Sequence, residues 1–146
     1  MATTTYKTNI TAPNEKVWQF VSNIENWASL VPGYRKHTML NDKQSTWTFS
    51  GTVAGMTKTV EVQIDITDWE EPSKIGFVLQ GLSDKFTGAG YFEATPVSAT
   101  TTNMTMNLEL KAGGIAGVAL NPIFKIALPL AAEKLAGRVV TKIQNA

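Results

Sequence analysis

The segment GGIAGVALNPIFKIALPLAA, residues 113–132, decides the fold, because it carries one charge, Lys125, in twenty residues near the end of the sequence. A transmembrane helix needs about 20 predominantly apolar residues in a row. Here Asn121, Pro122 and Pro129 interrupt the run, and a lysine at the bilayer centre costs about 2.5–3.5 kcal/mol on insertion scales. We therefore expect a segment of a globular domain and not a membrane span.

Asn121 and Pro122 divide this segment into two parts. Asn is a preferred N-cap residue, and Pro is favoured at the first helical position. The sequence therefore predicts a glycine-rich loop over residues 113–120 and a helix over residues 122–144, with a kink near Pro129.

The two halves of the predicted helix differ in hydrophobicity. The second half is amphipathic, with one apolar stripe formed by Leu128, Leu135, Val139 and Ile143. The first half, residues 123–130, is apolar on nearly all sides. A helix that lies on a sheet needs only one apolar face, so the additional apolar surface must face a cavity, a partner or a membrane surface.

Between residues 34 and 111 the hydrophobic period is two, which is typical of half-buried antiparallel strands. This region predicts about six strands joined by short turns. The charged residues Glu61, Asp65, Glu93 and Glu109 have the opposite parity to the apolar positions. The residues predicted to face inwards are Trp47, Phe49, Val53, Val62, Ile64, Ile66, Phe77, Leu79, Phe92, Met104, Met106 and Leu108.

The region before residue 34 adds one strand and two short helices. Residues 6–10 alternate in polarity, whereas Val17 and Phe20 share one helical face, and Pro32 and Gly33 form a turn. We therefore predict an α+β, helix-grip type of fold. It has a curved antiparallel sheet of about seven strands, two short helices after the first strand and a long C-terminal helix.

Composition and charge exclude several classes of function. The 146 residues fit a single domain, residues 1–146. The sequence contains no cysteine, which excludes disulfides, a thiol nucleophile and cysteine-ligated metal sites. Thirteen basic and twelve acidic residues nearly balance, which argues against nucleic acid as a partner. The N-terminal residues lack the apolar segment of a secretory signal, so we expect a cytoplasmic protein.

Four segments carry turns and glycines in a recognisable order. They are APNEKVWQFVSNIENWASLVPGY at residues 12–34, FSGTVAGMTKTVEV at 49–62, FTGAGYFEATP at 86–96 and KAGGIAGVALNP at 111–122. Together they resemble the START-like, or SRPBCC, superfamily with its helix-grip fold. Within it they are most similar to the CoxG-like group, which is associated with carbon monoxide dehydrogenase, and to polyketide cyclase-like proteins. The resemblance implies a sheet that wraps around the C-terminal helix and leaves an apolar cavity between them.

The resemblance also implies a ligand, because members of the superfamily bind lipids, polyketides, quinones or other hydrophobic molecules. The residues expected to line the cavity are Trp27, Trp47, Phe49, Val62, Ile64, Phe77, Leu79, Phe92, Met104, Met106, Leu108, Phe124 and Leu128. The residues expected at its entrance are Tyr34, Arg35, His37, Ile115 and Leu120. We expect neither a cofactor nor a metal site.

No titratable residue falls on the predicted inner face, so the pattern offers no general acid or base for catalysis. His37, the only histidine, lies beside Arg35 and Lys36, and we interpret it as the solvated start of a strand. The alternative is an entrance residue that meets an acidic head group or acts as a base. Gly88 and Gly90 share the inward parity, so they either leave volume for a ligand or mark a bend of the sheet.

Three functions follow from these observations. The one we favour is a protein that carries or presents a small hydrophobic ligand. The second is a polyketide cyclase-like enzyme, for which the predicted inner face offers no titratable group. The third is an accessory module for a membrane-linked oxidoreductase, in which residues 113–124 make transient contact with a membrane surface or a protein partner.

Overall fold

A computed structural model describes residues 2–53, 55–83 and 85–145, and the side chains of residues 52, 53, 56, 115, 116 and 119 lie outside the described part. The predictions for the side chains of Val53 and Ile115 therefore fall outside it. The elements in chain order are β1 (Ala2–Ile10), α1 (Asn14–Val21), α2 (Ile24–Trp27), a 3₁₀ turn (Ala28–Leu30), β2 (Tyr34–Met39), β3 (Gln44–Val53), β4 (Met56–Glu70), β5 (Lys74–Gly81), β6 (Phe86–Pro96), β7 (Thr102–Ala112) and α3 (Gly114–Gln144).

The strands form one antiparallel sheet in the order β1-β7-β6-β5-β4-β3-β2. Strands β2 to β7 are a meander in which each strand pairs with the next in sequence, and β1 completes the sheet beside β7. Short turns permit this arrangement, because antiparallel neighbours need no crossover connection. The predicted α+β fold is confirmed, with seven strands, two short helices after the first strand and a long C-terminal helix.

The strand registers follow the alternation in the sequence. Trp47 lies opposite Val62, and Phe92 lies opposite Met106. Since residues directly opposite each other in a sheet share a face, the apolar positions form continuous rows across the strands. The acidic residues have the other parity; Glu109, for example, lies opposite Ala89.

The predicted loop over residues 113–120 is wrong, because α3 begins at Gly114 and spans 31 residues. Asn121, predicted as an N-cap, instead lies within the helix. Its side chain accepts a hydrogen bond from the Ala112 backbone N–H at 2.9 Å and donates one to the Ala112 carbonyl at 3.1 Å. One turn earlier, a Cβ on Gly117 would lie 2.6 Å from that same carbonyl. These contacts hold the start of the helix close against the end of β7.

The second half of α3 packs on β1 and β7 and forms the closed core with α1. Its predicted apolar stripe is confirmed, since Leu128, Val139 and Ile143 are buried and Leu135 is half-buried. The residues buried in the closed core are Ile10, Ala12, Val17, Ala94, Met104, Ala136, Val139 and Ile143. This core fixes the helix to one end of the sheet and leaves the other end to the first half of α3.

Candidate functional site

A second apolar cluster lies between the centre of the sheet, α2 and the first half of α3, and we refer to it as the open cluster. Its buried members are Ala28, Trp47, Val62, Leu79, Phe86, Ala112 and Leu120. Its half-buried members are Ile24, Trp27, Tyr34, Phe49, Val60, Ile64, Phe77, Leu108, Leu110 and Phe124.

The open cluster differs from the closed core in how completely its side chains are covered. The largest side chains that are fully buried in the protein, such as Ile10, Met104 and Ile143, belong to the closed core or its border. In contrast, Phe49, Phe77 and other strand residues of the open cluster stay half-buried although they face the helix side of the sheet. The helices that face the sheet therefore cover these inward-facing apolar side chains only in part.

The structure brings most of the predicted ligand-binding residues together in the open cluster. These are Trp27, Trp47, Phe49, Val62, Ile64, Phe77, Leu79, Leu108 and Phe124. Three others, Phe92, Met104 and Met106, belong instead to the closed core or its border, where Met104 is completely buried. Leu128 is buried but is a member of neither cluster.

The glycines of β6 do not leave empty volume. A Cβ on Gly88 would lie 2.4 Å from the Glu109 carbonyl oxygen and 3.0 Å from Leu79. A Cβ on Gly90 would lie 2.7 Å from the ring of Phe77. Side chains of β5 therefore already occupy the space beside these glycines, and the close approach of β7 requires residues without a side chain.

Trp47 is the centre of an aromatic stack at the β2–β3 side of the open cluster. Its ring is stacked with those of Trp27 and Phe49, each at a centroid distance of 5.8 Å. Its indole N–H donates to the Ser45 hydroxyl at 2.8 Å, and the Trp27 indole donates to the Val21 carbonyl at 3.0 Å. Both indoles therefore present only apolar surface to the cluster.

A β-bulge brings two polar aromatic residues to this stack. Tyr34 lies opposite Phe49 and His37 lies opposite Trp47, so both share the inner face. Residues three apart in a regular strand face opposite sides, but here the pairing shifts between Tyr34 and Lys36. The extra residue, Arg35, is exposed.

His37 is not a solvated residue, so our interpretation of it was wrong. Its side chain is 9% exposed and its ring stacks on Trp47 at a centroid distance of 4.9 Å. Its Nε2 lies 2.8 Å from a carboxylate oxygen of Glu25 on α2, and its Nδ1 lies 2.6 Å from the Tyr34 hydroxyl. The inner face therefore carries titratable groups, which removes the reason for which the sequence disfavoured catalysis.

The other predicted entrance residues lie apart from the hydrogen bonds that join Glu25, His37 and Tyr34. Leu120 is buried in the open cluster, and the exposed Arg35 is at the bulge. Within the residues that the structure describes, no three His, Asp or Glu side chains are close enough together to hold a metal ion.

Comparison with protein-family models gives a match over almost the whole chain. Residues 1–144 match the model described as "Polyketide cyclase / dehydrase and lipid transport". The chain belongs to this polyketide cyclase/dehydrase and lipid transport family. No curated protein matches the sequence.

Solved structures with a similar fold come from several bacteria. A conserved protein from Geobacillus kaustophilus has a TM-score of 0.80 at 14% identity, covering 98% of this chain and 95% of its own. A START superfamily protein from Mycobacterium smegmatis has a TM-score of 0.77 at 18% identity, covering 99% of both chains. The Zhui aromatase/cyclase from Streptomyces sp. R1128 has a TM-score of 0.67 at 16% identity, covering 97% of this chain and 93% of its own. At these identities the likeness is one of fold, and that fold is START-like.

This family member also has a groove on its surface that is separate from the open cluster. The groove, of about 670 Å³, follows the second half of α3 beside the 3₁₀ turn and is lined by residues that include Leu30, Leu130 and Lys134. Arg138 donates a hydrogen bond across it to the Leu30 carbonyl at 2.8 Å. No helix in the described part of the chain is both long and apolar enough to span a bilayer.

Proposed function

We propose that this protein is a cytoplasmic binding protein that holds a small hydrophobic molecule, such as a lipid, quinone or polyketide-like compound, in the open cluster. The observation that supports this most directly is the partial exposure of inward-facing apolar side chains such as Phe49, Phe77 and Phe124. A ligand between the sheet and the first half of α3 would cover them.

Burial of apolar surface supplies the affinity in this proposal. Covering apolar surface contributes about 25 cal/mol per Å² before the costs of ordering and association are subtracted. Trp47 on β3 and Phe124 on α3 belong to the same cluster, one from the sheet and the other from the helix. Phe124 also meets Phe86 of β6 edge to face, with ring centroids 5.9 Å apart. Both aromatic walls therefore have a defined position before a ligand enters.

Uptake of an uncharged fluorescent probe, N-phenyl-1-naphthylamine, tests the proposal. We expect Trp47→Ala and Phe124→Asp each to raise the dissociation constant of the probe about tenfold or more, because one removes an aromatic wall and the other adds a charge. Trp69→Ala is the matched control, since Trp69 is largely exposed and contacts Trp18 outside the open cluster. Parent-like affinity in both folded test variants would contradict the proposal.

We propose a second activity, contact with an anionic membrane surface, from the outer side of α3. Val118, Ile126 and Leu130 are 81%, 57% and 56% exposed, and at 3.6 residues per turn they lie within a sector of about 120°. Near Val118 and Ile126 the exposed charged residues are the basic Lys111 and Lys125, whereas the acidic Glu133 follows Leu130 by one turn on the same side of the helix. Each basic residue near an anionic surface contributes about 1 kcal/mol of attraction.

Cosedimentation with vesicles tests this contact. We expect the parent protein to sediment with vesicles of phosphatidylglycerol and phosphatidylcholine and to remain in solution with phosphatidylcholine alone. Val118→Glu should abolish sedimentation, whereas Val97→Glu, a change at an exposed valine in the β6–β7 turn, should leave it intact. Equal behaviour of the two variants would exclude a membrane-facing role for the helix.

A further inference from the structure

Three side chains of the open cluster carry a polar atom, namely Trp27, Tyr34 and Trp47. The indole N–H groups of both tryptophans are already donated, to the Val21 carbonyl and to the Ser45 hydroxyl. Of these three side chains, Tyr34 is the one whose polar group has hydrogen-bonding capacity left for a ligand.

The partners of His37 determine what the Tyr34 hydroxyl can offer. An ionised carboxylate only accepts hydrogen bonds, so at the 2.8 Å contact with Glu25 the His37 Nε2 is the donor. A neutral imidazole has one N–H, and its other nitrogen, Nδ1, must then accept. When His37 is neutral, the Tyr34 hydroxyl therefore donates its proton to Nδ1 across the 2.6 Å contact. Its oxygen lone pairs remain, and they can only accept.

The positions of these groups support a directed arrangement. Glu25 reaches His37 from α2 with 68% of its side chain exposed, whereas the His37 ring is enclosed between this carboxylate, Tyr34 and the face of Trp47. Stacking on Trp47 holds the imidazole plane, and the bulge at Arg35 holds the tyrosine on the same face. In this arrangement Glu25 and His37 are positioning residues, because they set the direction of the Tyr34 hydroxyl proton.

We propose that Tyr34 is the polar anchor of the binding site and that it selects hydrophobic molecules carrying a hydroxyl group, which donates to the tyrosine oxygen. This inference rests on the proposed function of the open cluster. A ketone, ether or ester of the same shape offers only lone pairs, which meet the lone pairs of Tyr34. Such a ligand leaves its own oxygen and the lone pairs of the Tyr34 oxygen without a hydrogen-bond donor inside an apolar site, which weakens binding.

The test compares 2-naphthol with 2-methoxynaphthalene, which share the ring system and differ in the donor. We expect the parent to prefer 2-naphthol, and Tyr34→Phe to reduce the ratio of the two affinities about 3- to 10-fold. The loss should fall on 2-naphthol, with the affinity for 2-methoxynaphthalene nearly unchanged. Tyr91→Phe is the matched control, since Tyr91 lies on β6 under Lys74 and outside the open cluster.

A second variant tests the direction of the hydrogen bonds. In Glu25→Lys the lysine ammonium can only donate, so Nε2 of His37 must accept. The imidazole proton then lies on Nδ1, which donates to the Tyr34 oxygen. The tyrosine proton thereby becomes free to bond a ligand. We expect this variant at an exposed position to lose the preference for 2-naphthol and to gain affinity for 2-acetylnaphthalene, whose carbonyl accepts.

The outcomes separate this inference from the proposed function. An unchanged affinity ratio in folded Tyr34→Phe, or a parent that prefers 2-methoxynaphthalene, overturns the role of Tyr34 and leaves the apolar site intact. Equal selectivity of Glu25→Lys and parent overturns the role of Glu25 and His37 in directing the proton. Failure of the parent to bind any of the three naphthalenes overturns the binding function and the inference together.

Discussion

Asn121 is the residue that joins the first half of α3 to the sheet. The described part of β1 begins at Ala2, opposite Leu110, so it does not extend as far as Ala112. The Asn121 amide bonds both the N–H and the carbonyl of Ala112, at 2.9 Å and 3.1 Å. A side chain thus takes the place of a strand partner at the end of β7.

We predict that Asn121→Leu destabilises the protein by about 2–3 kcal/mol, because two backbone groups of the buried Ala112 lose their partner. The matched control is Asn103→Leu, whose amide bonds Asn9 on the exposed side of the sheet and should cost less than about 0.5 kcal/mol. Urea unfolding of the two variants measures the difference. Similar unfolding midpoints would mean that the amide is not the joint between helix and sheet.

The sequence pattern could not predict the role of His37, because Arg35 adds one residue to the strand. The period-two pattern assumes a regular strand, in which Tyr34 and His37 face opposite sides. The bulge at Arg35 reverses the parity from that point, and an exposed arginine in a strand gives no sign of it. The carboxylate partner, Glu25, is twelve residues earlier on another element, so only the folded chain brings the two together.

At the scale of elements, the strands were predictable and the start of the long helix was not. Alternating residues such as Val62 and Ile64 fix a strand's inner face, since a slip by one residue would expose the whole row. The start of α3 depends instead on Gly117 and Asn121 approaching Ala112, a contact between elements that no local preference encodes. The N-cap preference of Asn121 was overruled by that contact.

The orientation of α3 gives a prediction for two isoleucines on the same helix. Ile143 is 1% exposed in the closed core, whereas Ile126 is 57% exposed. Ile143→Ala should therefore cost about 2–5 kcal/mol of stability through lost burial and a cavity, and Ile126→Ala should stay within about 0.5 kcal/mol. Thermal or urea unfolding of both variants measures this. Comparable losses would mean that the helix is rotated about its axis, with Ile126 turned towards the sheet.

At the scale of the whole molecule, the closed core and the open cluster differ in how completely their side chains are covered. The closed core holds α1, β1, β7 and the second half of α3 with side chains that are almost completely covered. The open cluster holds an aromatic stack around Trp47, and inward-facing side chains such as Phe49 and Phe77 stay half-buried. Most of the residues in the closed core therefore differ from those that would contact a ligand, although Trp27 packs against both clusters.

The same contrast predicts different local stability along α3. We expect the amides of residues 114–127 to exchange with deuterium faster than those of residues 131–144, because the first half lies over the open cluster and the second over the closed core. N-phenyl-1-naphthylamine at about 100 times its dissociation constant adds up to about 2.7 kcal/mol to the free energy of unfolding. We expect the probe to slow deuterium exchange most in the first half of α3. Mass spectrometry of peptides from each half, with and without the probe, measures this. A ligand bound beneath the first half of α3 must limit the opening of the segment that covers it. Uniform exchange along the helix, or a probe effect confined to residues 131–144, would therefore contradict this placement of the ligand.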